Sequence, residues 1–99
     1  MQTPLDELSN SVLDAIEARR YDEAEKLCRR LLSEYPDMMD GHERLAELRK
    51  QQGRFQEAVD HYNQALQIIE QNSEGFGEEA LEYLKELRDE ALAKIPSKH

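Results

Sequence analysis

A single cysteine, Cys28, excludes an internal disulfide and any cysteine-rich metal site in this 99-residue chain. No run approaches the roughly eighteen consecutive apolar residues that a membrane-spanning helix requires, so no membrane association is expected. Valine and isoleucine are few while leucine, alanine, glutamate, arginine and glutamine are many, a mixture that favours helix over strand. Positive charge is also short: 13 basic residues face 22 acidic ones, and the net charge of −9 is spread along the whole chain. With no basic stripe to offset it, such a surface repels a phosphate backbone, so a basic or apolar partner is expected and a nucleic acid is not. No glycine-rich phosphate loop, Ser–His pairing or carboxylate dyad can be assembled, so neither an enzyme nor a cofactor is expected. At the start of the chain Leu5, Leu8 and Val12 are interleaved with Asp6, Glu7 and Asp14, unlike a signal peptide, and the expected location is the cytoplasm.

What is present is a repeat. Between Gly53 and Leu66 the chain reads as a helix stop, a turn and a new amphipathic helix. Phe55, Ala58, Val59, Tyr62, Ala65, Leu66 and Ile69 recur at the three- and four-residue steps of one helix face. A related series, Tyr21, Ala24, Leu27, Cys28, Leu31, Leu32 and Tyr35, stands 34 residues upstream. Asp6/Asp40, Arg20/Arg54, Glu23/Glu57, Ala24/Ala58 and Leu32/Leu66 are identical across that offset, which points to a repeat architecture. Phe55, Ala58, Tyr62 and Ala65 are expected in its core.

The punctuation predicts five helices. Thr3-Pro4 starts the first, with Thr3 as cap and Asp6 at the positive end of the dipole, and it runs to about Arg19. A second helix ends at Tyr35-Pro36, and Asp37 is placed to cap a third over roughly Met38 to Gln52. Gly53 is its left-handed stop, and a fourth helix runs from about Arg54 to Gln71. After the loop-like passage Asn72 to Gly77 a fifth continues to Ile95, with Phe76, Ala80, Tyr83, Leu84, Leu87, Ala91, Leu92 and Ile95 as a broad apolar side. Connections this short fold each helix antiparallel to its predecessor.

Several residues invite a chemical reading. His42 and His61, even with Asp40 or Asp60, fall short of the three or four converging ligands of a zinc site, so packing or solvent exposure is expected of them and no metal. Cys28 shares a stripe with Ala24 and Leu31 and reads as a small buried hydrophobe.

In its 34-residue period and its small-against-large helix faces the chain resembles the tetratricopeptide repeat family. Leu45, Ala46, Gly53, Phe55, Ala58, Tyr62 and Ala65 fit a full unit over residues 39–72. Tyr21, Ala24, Leu32 and Pro36 fit a looser one over 5–38, in which Arg19 replaces the turn glycine and Cys28 an aromatic. Phe76, Ala80 and Tyr83 resemble the start of a third unit, but no turn follows near Leu87. Residues 73–95 therefore look like the capping helix that closes a stacked array. The resemblance implies an all-α fold of five antiparallel helices in one domain, a fragment of an α–α superhelix.

The resemblance further implies a protein–protein interaction module with a groove lined by the first, third and fifth helices. It projects Asp6, Asn10, Leu13 and Glu17 onto that groove from the first helix, Glu43, Arg44, Glu47 and Lys50 from the third, and Glu78, Leu81 and Lys85 from the fifth. The family's carboxylate-clamp subtype is not expected: at the matching positions Ser9, Leu13, Arg44, Glu74 and Glu78 only Arg44 agrees, and two acids oppose. Leu13 and Leu81 within acidic walls suit an adaptor for an amphipathic helix or extended peptide with basic flanks. Two alternatives stand beside it. One is a homodimer sealed by Leu81, Leu84, Leu92 and Ile95 of the fifth helix; the other is a regulatory subunit of a larger assembly.

Overall fold

The computed structural model describes residues 2–71 and 78–96. Five helices follow one another: α1 (Pro4–Glu17), α2 (Tyr21–Glu34), α3 (Asp40–Gln51), α4 (Phe55–Gln71) and α5 (Glu78–Ala93). Among the described residues there is no strand, and no helix is long and apolar enough to cross a membrane. The passage Asn72 to Gly77, and with it the expected apolar position of Phe76, lies outside the described residues.

The start of α1 is fixed by its own side chains. The Asp6 amide donates to Thr3 Oγ1 at 3.1 Å, and the Thr3 amide donates back to Asp6 Oδ2 at 3.3 Å. This reciprocal capping box, with Pro4 in the first turn, satisfies donors that the helix start would otherwise leave free. The start of α3 differs from the expected one. Its N-cap is Met39, in a helical conformation and with no side-chain cap, because Asp37 lies within the turn that follows Pro36, two residues too early.

The two inter-helix turns repeat in hydrogen-bond detail. Arg19 N–H donates to the Ile16 carbonyl at 3.0 Å and Arg20 N–H to the Ala15 carbonyl at 2.8 Å. Gly53 and Arg54 make the same two bonds, to Lys50 at 3.0 Å and Arg49 at 2.8 Å. Both turns need a left-handed residue, with φ of +77° at Gly53 and +60° at Arg19. Glycine adopts that geometry freely, whereas a side chain makes it costly.

Two apolar clusters share α3 between them. Val12, Ala24, Cys28 and Leu31 pack with Leu45 and Leu48 in the first. Ala46 joins Ala58, Tyr62, Ala65, Leu84 and Ala91 in the second. Helix α3 is thus buried from both sides, by α2 and α1 on one flank and by α4 on the other. Gly41 lets α2 come close, since a β-carbon there would stand 2.7 Å from Leu32 Cδ2. Phe55 is an exception to the expected core: it is half-buried, with Lys94 Nζ 5.6 Å from its ring centroid at the end of α5.

Candidate protein-binding groove

The wall of α1 comes from one stripe. Asp6, Asn10, Leu13 and Glu17 follow at steps of four, three and four residues, beside the buried Ser9 that contacts α3. Leu13 is half-buried and the other three are exposed. Arg44 of α3 donates from Nε to Ser9 Oγ at 2.7 Å and pairs through Nη1 with Glu43 at 3.3 Å. Its guanidinium therefore ties α3 to α1. Lys50 pairs with Glu47 at 3.3 Å, so the two acids projected onto this wall from α3 each carry a basic neighbour.

Glu43 is only 7% exposed, and burial raises its carboxyl above the usual range more than the adjacent Arg44 lowers it. Tyr62 of α4 is fully buried, with a hydroxyl that has no hydrogen-bond partner among the described residues. The groups that bear on this phenol are Glu47 and Glu43 of α3 and Tyr83 and Glu90 of α5; burial is the main reason its pKa is raised.

Helix α5 packs on α4 through an apolar stripe of its own. The 34-residue offset from Leu45, Ala46 and Arg49 falls on Glu79, Ala80 and Tyr83. The side actually packed on α4 runs through Ala80, Leu84, Leu87 and Ala91, with Leu84 and Ala91 fully buried. Leu81, Lys85, Arg88 and Leu92 share a stripe on which Leu81 packs against the second cluster and Arg88 Nη1 donates to Asn63 Oδ1 of α4 at 3.5 Å. Glu78 is exposed near the head of that same stripe. Among the described residues no hydrogen bond or ion pair links Glu78 or Lys85 to Glu43, Arg44, Glu47 or Lys50. Glu79, Tyr83, Glu86 and Glu90 form another four–three–four series on the exposed side of α5, of which Tyr83 and Glu90 bear on the Tyr62 phenol. Tyr83 is 53% exposed, and neither Glu86 nor Glu90 forms an ion pair among the described residues.

Away from the groove, a charged cluster joins α2, α3 and α4. Arg49 donates to both oxygens of Glu25, at 2.7 and 3.1 Å, and lies 3.4 Å from Glu57; Arg29 and Arg54 flank the two acids. The hydrogen bond from Arg49 holds the Glu25 carboxyl below its ordinary range. Nothing marked Arg49 in the sequence except its place one turn after Leu45, on the inward side of the helix. His42 and His61 stack across α3 and α4 with ring centroids 5.7 Å apart, and each has an Nδ1 buried without a partner. Burial lowers both pKa values, helped at His42 by His61 and at His61 by Arg49. Cys28 is fully buried, and desolvation pushes its thiol up to about 12, far from a reactive thiolate.

Comparison with curated proteins and with solved structures gives no match. A family model described as tetratricopeptide repeat matches residues 10–73, well over half of the chain. Together with the duplicated turns and the stacked helical hairpins, that match establishes that the chain belongs to the tetratricopeptide repeat family.

Proposed function

We propose that this chain is a non-enzymatic adaptor whose α1–α3–α5 face receives a peptide or helix bearing apolar and basic residues. Tetratricopeptide repeat domains generally mediate protein–protein interaction, which gives the class of function. In this reading residues 5–38 and 39–72 are the two units, and 73–95 closes the stack. The observation that carries the partner's chemistry is the α5 flank. Tyr83 is exposed on one stripe of α5 with Glu79, Glu86 and Glu90, an aromatic surface among acids, and in this reading that stripe is the groove side of α5. Leu13 supplies an apolar contact at the opposite wall. The groove set is then Asp6, Asn10, Leu13 and Glu17, with Glu43, Arg44, Glu47 and Lys50, and with Tyr83, Glu86 and Glu90 from α5.

Titration with basic amphipathic peptides, followed by amide chemical shifts, tests this. Shifts confined to α1, α3 and α5 are the expected result, lost on Leu13→Asp. Shifts on α2 and α4 alone, or none, would remove the reading.

A second reading, self-association through α5, draws on Leu92, which is 51% exposed and shares a stripe with the half-buried Leu81. It is weakened by Lys85 and Arg88 between them and by Leu84, which lies wholly in the α4–α5 core. Light scattering after size exclusion decides it: a monomer at high micromolar concentration excludes the dimer.

A further inference from the structure

We infer that His42 and His61 form an acid-released latch, which holds the N-terminal end of α3 against α4 and frees it when both rings are protonated, independently of any bound partner. The two rings stack across the helix pair with centroids 5.7 Å apart and planes 24° from parallel. Each Nδ1 is buried with no hydrogen-bond partner among the described residues. In a neutral ring that carries its proton on Nε2, this atom is a bare acceptor. An imidazolium has an N–H on both nitrogens, so protonation creates a buried donor without an acceptor. The second ring to be protonated also meets a like charge across the stack.

The surroundings decide which ring is second. Burial disfavours charge on both. At His61, Arg49 of α3 and Arg29 of α2 add to this, while Asp60 and Glu57 of its own helix oppose it. At His42 the added group is His61 itself, with no carboxylate to oppose it. His42 is also the third residue of α3, inside the first turn, where the positive end of the helix dipole disfavours a cation. His61 therefore takes the first proton and His42 the second.

Unequal fastening of α3 makes the response local. Its C-terminal end is tied by Arg49 to Glu25 of α2 and Glu57 of α4, and by the turn bonds at Gly53 and Arg54. Its N-terminal end has no side-chain cap among the described residues, and a glycine, Gly41, is its second residue. Apart from the stack, that end is held by Met39 in the second cluster, by Gly41 against Leu32, and by the Arg44–Ser9 bond. Breaking the stack loosens the first turn and leaves the last one fastened.

Amide hydrogen exchange at pH 7 and pH 5.5, corrected for intrinsic rates, tests the latch. The amide of residue 43 closes the first turn on the Met39 carbonyl, and its protection should fall about tenfold in acid, in keeping with one unsatisfied buried donor. The Gln52 and Arg54 amides at the other end should keep theirs. Ring signals should show His61 titrating before His42. His61→Leu removes the charge across the stack and should cut the loss to below about threefold. Glu43→Gln, which removes the carboxyl that burial raises in the same turn, should leave the loss in place. The wild-type measurements decide the matter even where a variant folds poorly. Equal loss at residues 43 and 54, no loss at residue 43, or both rings titrating at the ordinary 6.5 would each overturn the inference. So would a loss that persists in folded His61→Leu or vanishes in Glu43→Gln.

Discussion

The α1–α2 and α3–α4 pairs make the same backbone hairpin with different interiors. The turn bonds match atom for atom, yet Arg19 stands where Gly53 stands, Cys28 where Tyr62 does, and Ala15 where Arg49 does. Leu8 and Leu27, packed together in the first cluster, correspond to the stacked His42 and His61. The first hairpin is thus apolar inside except for Ser9, with a strained turn. The second has a relaxed turn and carries a buried phenol, a buried guanidinium and two half-buried imidazoles. The backbone hairpin therefore depends on small residues at close helix contacts, such as Ala24 and Ala58, and on the turn geometry. It tolerates wide chemical variation around them.

The largest break in this comparison should come at the paired centres of the two clusters. Tyr62→Ala removes a fully buried aromatic that spans α3, α4 and α5, and should cost about 3–5 kcal/mol. Cys28→Ala, at the corresponding point of the first unit, removes one sulfur and should cost about 1 kcal/mol. Urea unfolding of both variants checks the contrast; equal losses would mean that the two clusters do not unfold as one cooperative body built this way.

Next comes the charged cluster. Arg49→Ala gives the second unit the residue of the first. The guanidinium is nearly buried, but Glu25 and Glu57 keep about a third and a half of their side-chain exposure and can recover water. The loss should therefore be about 2 kcal/mol, below the range for a wholly buried pair. The Glu25 carboxyl should move back up toward its ordinary range in the same variant, which carboxyl NMR reads directly.

How much of this was legible in the sequence follows from what each feature rests on. The helices and the hairpin turns rest on periodic apolar positions and on Gly53, and both are visible in residue types. Arg19 was found only through its offset from Gly53, since an arginine carries no turn signal of its own. Asp37 misled because a capping residue type does not fix where the turn after Pro36 ends. Along α5 the repeat thins to Ala46/Ala80 and Arg54/Arg88, and the packed side of α5 rests on its own apolar stripe through Leu84 and Ala91. Arg49 and the histidine stack depend on pairing between distant residues, which no local pattern encodes.

The turns give a smaller and opposite pair of effects. Gly53→Ala forces a side chain into the left-handed region, with open space around its β-carbon, so the cost is conformational alone and should be about 1 kcal/mol. Arg19→Gly should stabilise by about 0.5 kcal/mol, because the relief of strain exceeds the extra freedom that glycine gives the unfolded chain only slightly. Thermal melts of the two variants should shift in opposite directions. A loss on Arg19→Gly would mean that the Arg20–Glu23 pair next to it depends on the Arg19 side chain.

The smallest effect, and the one that separates the interiors most cleanly, is pH. Both histidines are held below the ordinary value of 6.5, so the folded state favours their neutral forms and the unfolded state binds more protons in mild acid. The stability this confers is fully present above about pH 6.5 and is lost as pH falls through the lower folded values. Facing His61 are Arg49 and Arg29, which deepen the shift, and Asp60 and Glu57, which oppose it; His42 faces His61. Glu43, whose carboxyl is raised by burial, works in the opposite direction nearer its own range, so the wild-type slope mixes both. The double substitution His42→Leu, His61→Leu installs the pair that the first unit already uses. It should flatten stability between pH 7 and 5.5, and an unchanged slope would place the proton uptake elsewhere. Because Leu8 and Leu27 fill the same backbone geometry, a flattened slope with an intact fold would assign the pH response to the two imidazoles and not to the hairpin that holds them.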